Sequence, residues 1–239
     1  MSATIGFKLC VGAKHEFIAI CKAMVATGIK PDFISVDGGE GGTGAAPLEL
    51  SNSVDTPFKE GVAFVYDALI GYDLKKDIKL ISSGKIVSGF HMFKAMALGV
   101  DICYSARAMM MAVGCIQVLE CNHNICPTGV ATQNLELVAG LNVEDKKERV
   151  ARYQKETIKS FVELMAAAGI KDPNEINRYH IHRRIAMSFS QCYLEIFPYM
   201  KEGALLHMKS TPEEWKMHVA MANPKNFAPR IQADYIEED

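Results

Sequence analysis

The sequence predicts an α/β fold built on a parallel sheet, and three observations carry that reading. Four short apolar or alternating runs with β-branched content recur in the first hundred or so positions, and stretches with helical apolar spacing lie between them. The 239 residues are 49% apolar and 23% charged. That globular balance fits one α/β domain or two small ones and excludes collagen, disorder and low complexity.

In chain order, strands are expected at 5–10, 32–37, 78–83 and 101–104. The intervening helices are expected at 14–27, with Phe17, Ile18, Cys21, Met24 and Val25 on one face, at 58–70, with Val62, Val65, Tyr66 and Leu69, and at 89–98, with Phe90, Phe93, Met96 and Leu98. Strict alternation of strand and amphipathic helix argues for crossover connections, each helix covering the sheet it leaves. An irregular segment, 114–134, precedes a long helix from about 144 to 168 that Gly169 closes. The rest, 171–239, mixes five prolines with short helical patches and an acidic end. It reads as a helical or irregular docking tail whose last ten residues are mobile. No internal repeat is visible beyond the βα rhythm.

Charge and composition exclude several function classes. With 26 Lys and Arg against 28 Asp and Glu, the net charge is −2 and no basic stripe is visible. A nucleic-acid partner is therefore not expected. No apolar run approaches the roughly 18–20 residues that span a bilayer, and the first residues lack a signal-peptide layout. A soluble, cytoplasmic protein is expected. Seven cysteines, at 10, 21, 103, 115, 121, 126 and 192, then read as buried thiols or metal ligands rather than a disulfide framework.

Four features carry candidate chemistry. The tract Gly38-Gly39-Glu40-Gly41-Gly42-Thr43-Gly44 contains G-x-G-x-x-G, but Ala45-Ala46-Pro47 follows where a dinucleotide fingerprint needs a helix. The tract reads instead as a loop whose backbone N–H groups approach a ligand, with a flexible loop as the alternative. Lys8 shares a strand face with Gly6 and Cys10, opposite Ile5, Phe7 and Leu9. If that face is a barrel interior, its ammonium needs an anion or an electron-rich ligand; otherwise it is a surface lysine. Ser82-Ser83-Gly84-Lys85 and Ser105-Ala106-Arg107 end two consecutive strands with small residues and a cation. Such ends suit a phosphate site, although generic βα turns look similar.

The fourth feature is Cys115, Cys121 and Cys126, a C-x5-C-x4-C run ending in Cys-Pro. Three thiolates on one loop can converge on an inorganic centre. The spacing is wider than in zinc pairs, and a fourth ligand is missing unless His123 serves. Spare thiols are the alternative. His180-Ile-His182-Arg183-Arg184 reads as a solvated loop or tail contact, and Met109–Met111 as helix packing.

Together, Lys8, Gly41-Gly42-Thr43-Gly44-Ala45-Ala46-Pro47, Ser83-Gly84-Lys85, Ala106-Arg107 and the three cysteines followed by Pro127-Thr128-Gly129-Val130-Ala131-Thr132-Gln133 resemble the FMN-binding synthase domain of glutamate synthase. The similarity is closest to stand-alone FMN-binding glutamate synthase family proteins and runs from about Ile5 to Gln133, with the 144–170 helix continuing it.

The resemblance implies a (β/α)8 TIM barrel of which this chain is the C-terminal half, with residues 1–170 as the half-barrel, 106–139 as its cluster loop and 171–239 as the tail. It implies FMN at the C-terminal strand ends and a [3Fe–4S] cluster on Cys115, Cys121 and Cys126. The implied reaction reduces 2-iminoglutarate, formed from 2-oxoglutarate and ammonia, to L-glutamate, with an electron donor feeding the flavin. By position, Lys8 is the catalytic and flavin-contacting cation. Gly84, Lys85, Ala106 and Arg107 hold the phosphate, and the backbone of Gly41, Gly42, Thr43 and Gly44 lines the ring pocket. Four strands do not close a barrel, so a homodimer or a separate N-terminal half-barrel is expected as partner. With Ser at position 2, glutamine hydrolysis by an N-terminal cysteine nucleophile of this chain is not expected. The rival reading is a non-catalytic half-barrel that acts only in assembly.

Overall fold

A computed structural model describes residues 3–40, 49 and 54–229. The first four strands are β1 (Gly6–Cys10), β2 (Phe33–Asp37), β3 (Lys79–Ser83) and β4 (Ile102–Cys103), and helices α1 (Lys14–Thr27), α2 (Phe58–Gly71), α3 (Gly89–Ala97) and α4 (Arg107–Val113) follow them in turn. The strands form one parallel sheet in the order β1-β2-β3-β4. This is the alternation that the sequence predicts, and it is compatible with part of a TIM barrel.

Register decides which side chains share a face. Phe7, Ile34 and Leu80 align across the sheet, as do Leu9, Val36 and Ser82. Ile34, Val36 and Leu80 are fully buried against Ile18 and Cys21 of α1 and Val62, Val65 and Leu69 of α2, within one apolar core. The opposite face carries Lys8 beside Ser35 and Ile81, then Cys10 beside Asp37 and Ser83. The polar residues of the motif therefore stand together on the side away from the helices.

β4 is shorter than the predicted 101–104. Asp101 and Tyr104 still donate backbone N–H to Leu80 and Ser82 carbonyls at 2.8 and 3.1 Å, so the ladder runs one residue past each end. The Asp101 carboxylate also accepts from the Leu80 N–H at 2.7 Å and from Lys75 at 2.8 Å.

Residues 114–134 are irregular, as expected, and lead through the single turn α5 (Leu135–Val138) into the long helix α6 (Val143–Ala167). Asn142 caps α6 by accepting the Asp145 N–H, and Glu144 and Asp145 suit the positive end of its dipole. The helix packs on α3, with the rings of Phe93 and Phe161 6.4 Å apart, and Tyr153 donates to the Val87 carbonyl at 2.8 Å.

The segment beyond 171 corrects an expectation. It is not only helical and irregular: His182–Ala186 (β5) and Phe189–Cys192 (β6) form an antiparallel hairpin between two 3-10 turns and the helices α7 (Tyr193–Ile196) and α8 (Glu213–Met221). All five β5 residues are exposed, so no apolar alternation announces the strand. Its base is fixed instead by the Tyr193 N–H on the Ile181 carbonyl at 2.8 Å and by Cys192 Sγ against the Arg178 carbonyl at 3.4 Å. His180 closes a capping box on Asn177.

Ile176, Ile181, Tyr193, Met200, Leu205 and Val219 of this segment join the core of the sheet and its helices. Trp215 of α8 stacks on Phe64 of α2 at 4.9 Å, and Lys22 of α1 caps α8 by donating to the Val219 and Ala222 carbonyls at 2.6 and 3.2 Å. The final ten residues, expected to be mobile, lie outside the described residues. Among those described, no helix is long and apolar enough to cross a membrane.

Candidate active site

The C-terminal ends of β1, β2 and β3 are level, because Cys10, Asp37 and Ser83 align in register. A cleft of about 270 Å³ opens above these ends and the end of β4. Its walls include Lys8, Asp37, Glu40, Ser83, Gly84, Lys85, Tyr104, Ser105, Ala106 and Arg107. The structure thus brings Lys8, Gly84, Lys85, Ala106 and Arg107 to one place. Gly41, Gly42, Thr43 and Gly44 lie outside the described residues.

Local sequence explains how the walls are shaped. A Cβ on Gly84 would sit 2.4 Å from the Phe58 ring, and one on Gly38 would sit 2.5 Å from the Phe58 backbone, so only glycine lets both loops pass over the start of α2. Lys85 itself is held at φ +52°, a left-handed conformation uncommon for a side chain of its size. Ser105 Oγ donates to the Ile86 carbonyl at 2.5 Å and ties the loop after β4 to the loop after β3. The Glu40 carboxylate accepts the Phe58 N–H at 2.8 Å.

Lys8 does not wait for a ligand to balance its charge. Its Nζ lies 2.7 Å from Asp37 Oδ2, and its side chain remains 61% exposed. Tyr104 donates its hydroxyl to the other oxygen of Asp37, and Ser35 Oγ donates to Tyr104 Oη at 3.3 Å. The hydrogen bond that Lys8 donates to Asp37 raises the Lys8 pKa above its ordinary value, against the smaller effect of burial. Burial first, then the Asp37 hydrogen bond, pushes the Tyr104 phenol up. Both groups therefore hold their protons at neutral pH.

Sequence reasoning missed Asp37, Tyr104 and Ser35. The signal was available: Ser35 and Asp37 share the parity that pairs with Lys8 across β1 and β2, and Tyr104 immediately precedes the Ser105-Ala106-Arg107 motif.

The three motif cysteines stand on the loop after α4. Cys126 is buried, its Sγ 3.4 Å from Thr128 Oγ1. The Thr128 hydroxyl, followed by the backbone N–H of Ala131, lowers its pKa to about 7. Cys115 accepts the Gln117 N–H at 3.4 Å and shares a hollow with Thr128, Lys146 and Arg149. Among the described residues no group of three or more His, Cys, Asp or Glu forms a ready-made metal cage. His123 pairs with the Glu120 carboxylate. Asn124 clamps the loop, its Oδ1 accepting the Gln133 N–H at 2.6 Å and its carbonyl the Thr132 hydroxyl at 2.7 Å. The three thiols are of the type that binds an iron centre but are not gathered into one ready-made site among the described residues, whereas the cleft, with Lys85 and Arg107 beside Gly84 and Ala106, suits a phosphate group.

A family model described as the conserved region in glutamate synthase matches residues 1–171. The chain belongs to the glutamate synthase family. Its relatives include the glutamate synthase large subunit-like protein YerD of Bacillus subtilis, 39% identical over 177 residues, which are 74% of this chain and 34% of that protein. They also include proteins named archaeal glutamate synthase [NADPH] from Methanocaldococcus jannaschii, 37% identical over 160 residues (67% of this chain, 31% of the relative), and Archaeoglobus fulgidus, 30% identical over 160 residues (again 67% and 31%). The chain therefore spans about a third of the length of these relatives. The matched region contains the cleft, the cysteine loop and α6, while the hairpin and α8 lie beyond the family match.

Proposed function

We propose that the chain carries the FMN and iron–sulfur part of a glutamate synthase-type oxidoreductase that reduces 2-iminoglutarate, formed from 2-oxoglutarate and ammonia, to L-glutamate. The observation that carries the reading is the gathering of Lys8, Lys85 and Arg107 with Gly84 and Ala106 at the C-terminal ends of a parallel sheet, in a chain of this family.

In this reading Lys85 and Arg107 hold the phosphate, and the small residues 84 and 106 leave room for it. Lys8, kept protonated by Asp37, offers a fixed positive charge where negative charge gathers during reduction. FMN held by these residues would supply hydride chemistry to the site. Cys115, Cys121 and Cys126 are the proposed ligands of a [3Fe–4S] cluster, and the Cys126 pKa, lowered to about 7, favours the thiolate form that binds metal. An electron donor and either a second copy of the chain or a separate half-barrel are the proposed partners.

Titrating FMN into the chain and following flavin fluorescence tests this reading. Saturable quenching is expected, with affinity falling about tenfold or more in Arg107→Ala and again in Lys85→Ala, as the loss of a charge-assisted contact requires. Equal affinity in wild type and the double variant would sink it. Glutamate formation from 2-oxoglutarate and ammonium, with a chemical reductant and FMN, tests the reaction itself.

A further inference from the structure

Asp37 lines the cleft between Lys8 and Tyr104, and its surroundings point to a part beyond keeping Lys8 charged. Its two carboxylate oxygens are divided between neighbours from two other strands, Oδ2 to Lys8 of β1 and Oδ1 to the Tyr104 hydroxyl at the end of β4. Ser35, two residues back on β2, donates to Tyr104 at 3.3 Å and extends the chain. The Lys8 ammonium also lies 5.8 Å from the centre of the Tyr104 ring. Two side chains from other strands thus meet on the Asp37 carboxylate, and Ser35 backs one of them.

We propose that Asp37 is a positioning residue, tethering Lys8 at a fixed point on the cleft wall so that the anionic part of the bound ligand meets a cation already in place. The proposal rests on the reading of the cleft as the FMN site. A lysine has a flexible four-carbon stem and three donors. One donor spent on Asp37 removes the stem's freedom before the ligand arrives and leaves two donors for it, which is preorganisation in the usual sense. Lys85, Arg107 and Glu40 line the same cleft. Asp37 lies at ion-pair distance from the Lys8 ammonium, and its hydrogen bond to that group is the main reason the Lys8 pKa is raised.

A positioning role and a purely electrostatic one predict opposite signs. Removing a negative charge beside an anion site tightens anion binding if Asp37 is only a charge; it weakens binding if Asp37 holds Lys8. The experiment uses the full chain, FMN as probe, and the variants Asp37→Asn, Asp37→Glu, Lys8→Met and the Asp37→Asn, Lys8→Met pair. FMN affinity is measured by fluorescence, and amine labelling of Lys8 without FMN is followed by peptide mass spectrometry at pH 9. In Asp37→Asn, labelling of Lys8 is expected to rise about two- to fivefold, as for a partly exposed pair, with Lys30, which pairs with Asp77, unchanged as control. FMN binding is expected to weaken several-fold, Asp37→Glu to recover most of it, and Asp37→Asn to add nothing once Lys8 is Met. Unchanged labelling, tighter FMN binding in Asp37→Asn, or fully additive effects in the pair would overturn the tether. A wild-type chain that takes up no FMN overturns the flavin reading and the proposed ligand with it, whatever the labelling shows.

Discussion

Arg178 is fully buried and grips Asp67 of α2 with both guanidinium nitrogens, at 2.9 and 3.1 Å. The same group donates to the Phe197 and Pro198 carbonyls at 2.7 and 3.0 Å and lies against the Tyr199 ring, 4.4 Å from its centre. One cation thus pins the segment after α6 to the helical layer over the sheet.

Replacing only Arg178 strands a buried carboxylate. Arg178→Met is expected to cost about 3–5 kcal/mol, and the Arg178→Met, Asp67→Leu pair to restore most of it. Urea unfolding measures both. The single tryptophan, Trp215, stacks on Phe64, so its emission should report release of the segment in the single variant. A Trp215 signal and overall stability unmoved by Arg178→Met would contradict the anchoring role.

Tyr104 supplies a pH test. Its raised pKa means that the folded chain keeps the phenolic proton to higher pH than the unfolded chain does. The resulting stabilisation is present below about pH 10 and is lost as pH climbs through the folded value. Lys8, also raised, adds to the same alkaline loss. Burial pushes Tyr66, Tyr72 and Tyr193 up as well, so several tyrosines should titrate late at 295 nm. Tyr104→Phe should remove one of those late components, and Asp37→Asn should move it to lower pH.

Iron content separates the cysteines. After anaerobic reconstitution, Ser at position 115, 121 or 126 is expected to abolish stoichiometric iron and the associated visible absorption. Cys21→Ser should leave both unchanged, because Cys21 is fully buried in the core beneath α1. Full iron in all three motif variants would remove the cluster from the proposal.

Association is the fourth expectation. Among the described residues β1 and β4 each pair on one side only. Beside β4, a hollow of about 530 Å³ is lined by Met92, Met96, Ile102, Phe161, Val162 and Met165, with Ile102 half exposed. Open edges beside apolar surface favour pairing. Sedimentation at micromolar concentration should show a dimer, or a complex when a chain carrying the other strands is supplied. A monomer under both conditions would refute this.

The sequence by itself determined the βα alternation, the four strands of the parallel sheet to within a residue or two, the long helix before Gly169 and the family. Those features are local or periodic: Ile34 and Val36 alternate against one face, Phe17, Ile18 and Cys21 repeat at helical spacing, and the cysteine spacing is written along the chain. Lys85 and Arg107 were also legible, because short motifs at strand ends carry them. Tertiary structure alone decided the rest. Lys8, Asp37 and Tyr104 lie 29 and 67 positions apart in succession, and only the register of parallel strands makes them one network. Arg178 reaches Asp67 across 111 positions, and β5 has no apolar face to announce it. Such long-range polar contacts leave no periodic trace, because each is fixed by where the packed strands and helices bring two side chains rather than by their neighbours in sequence.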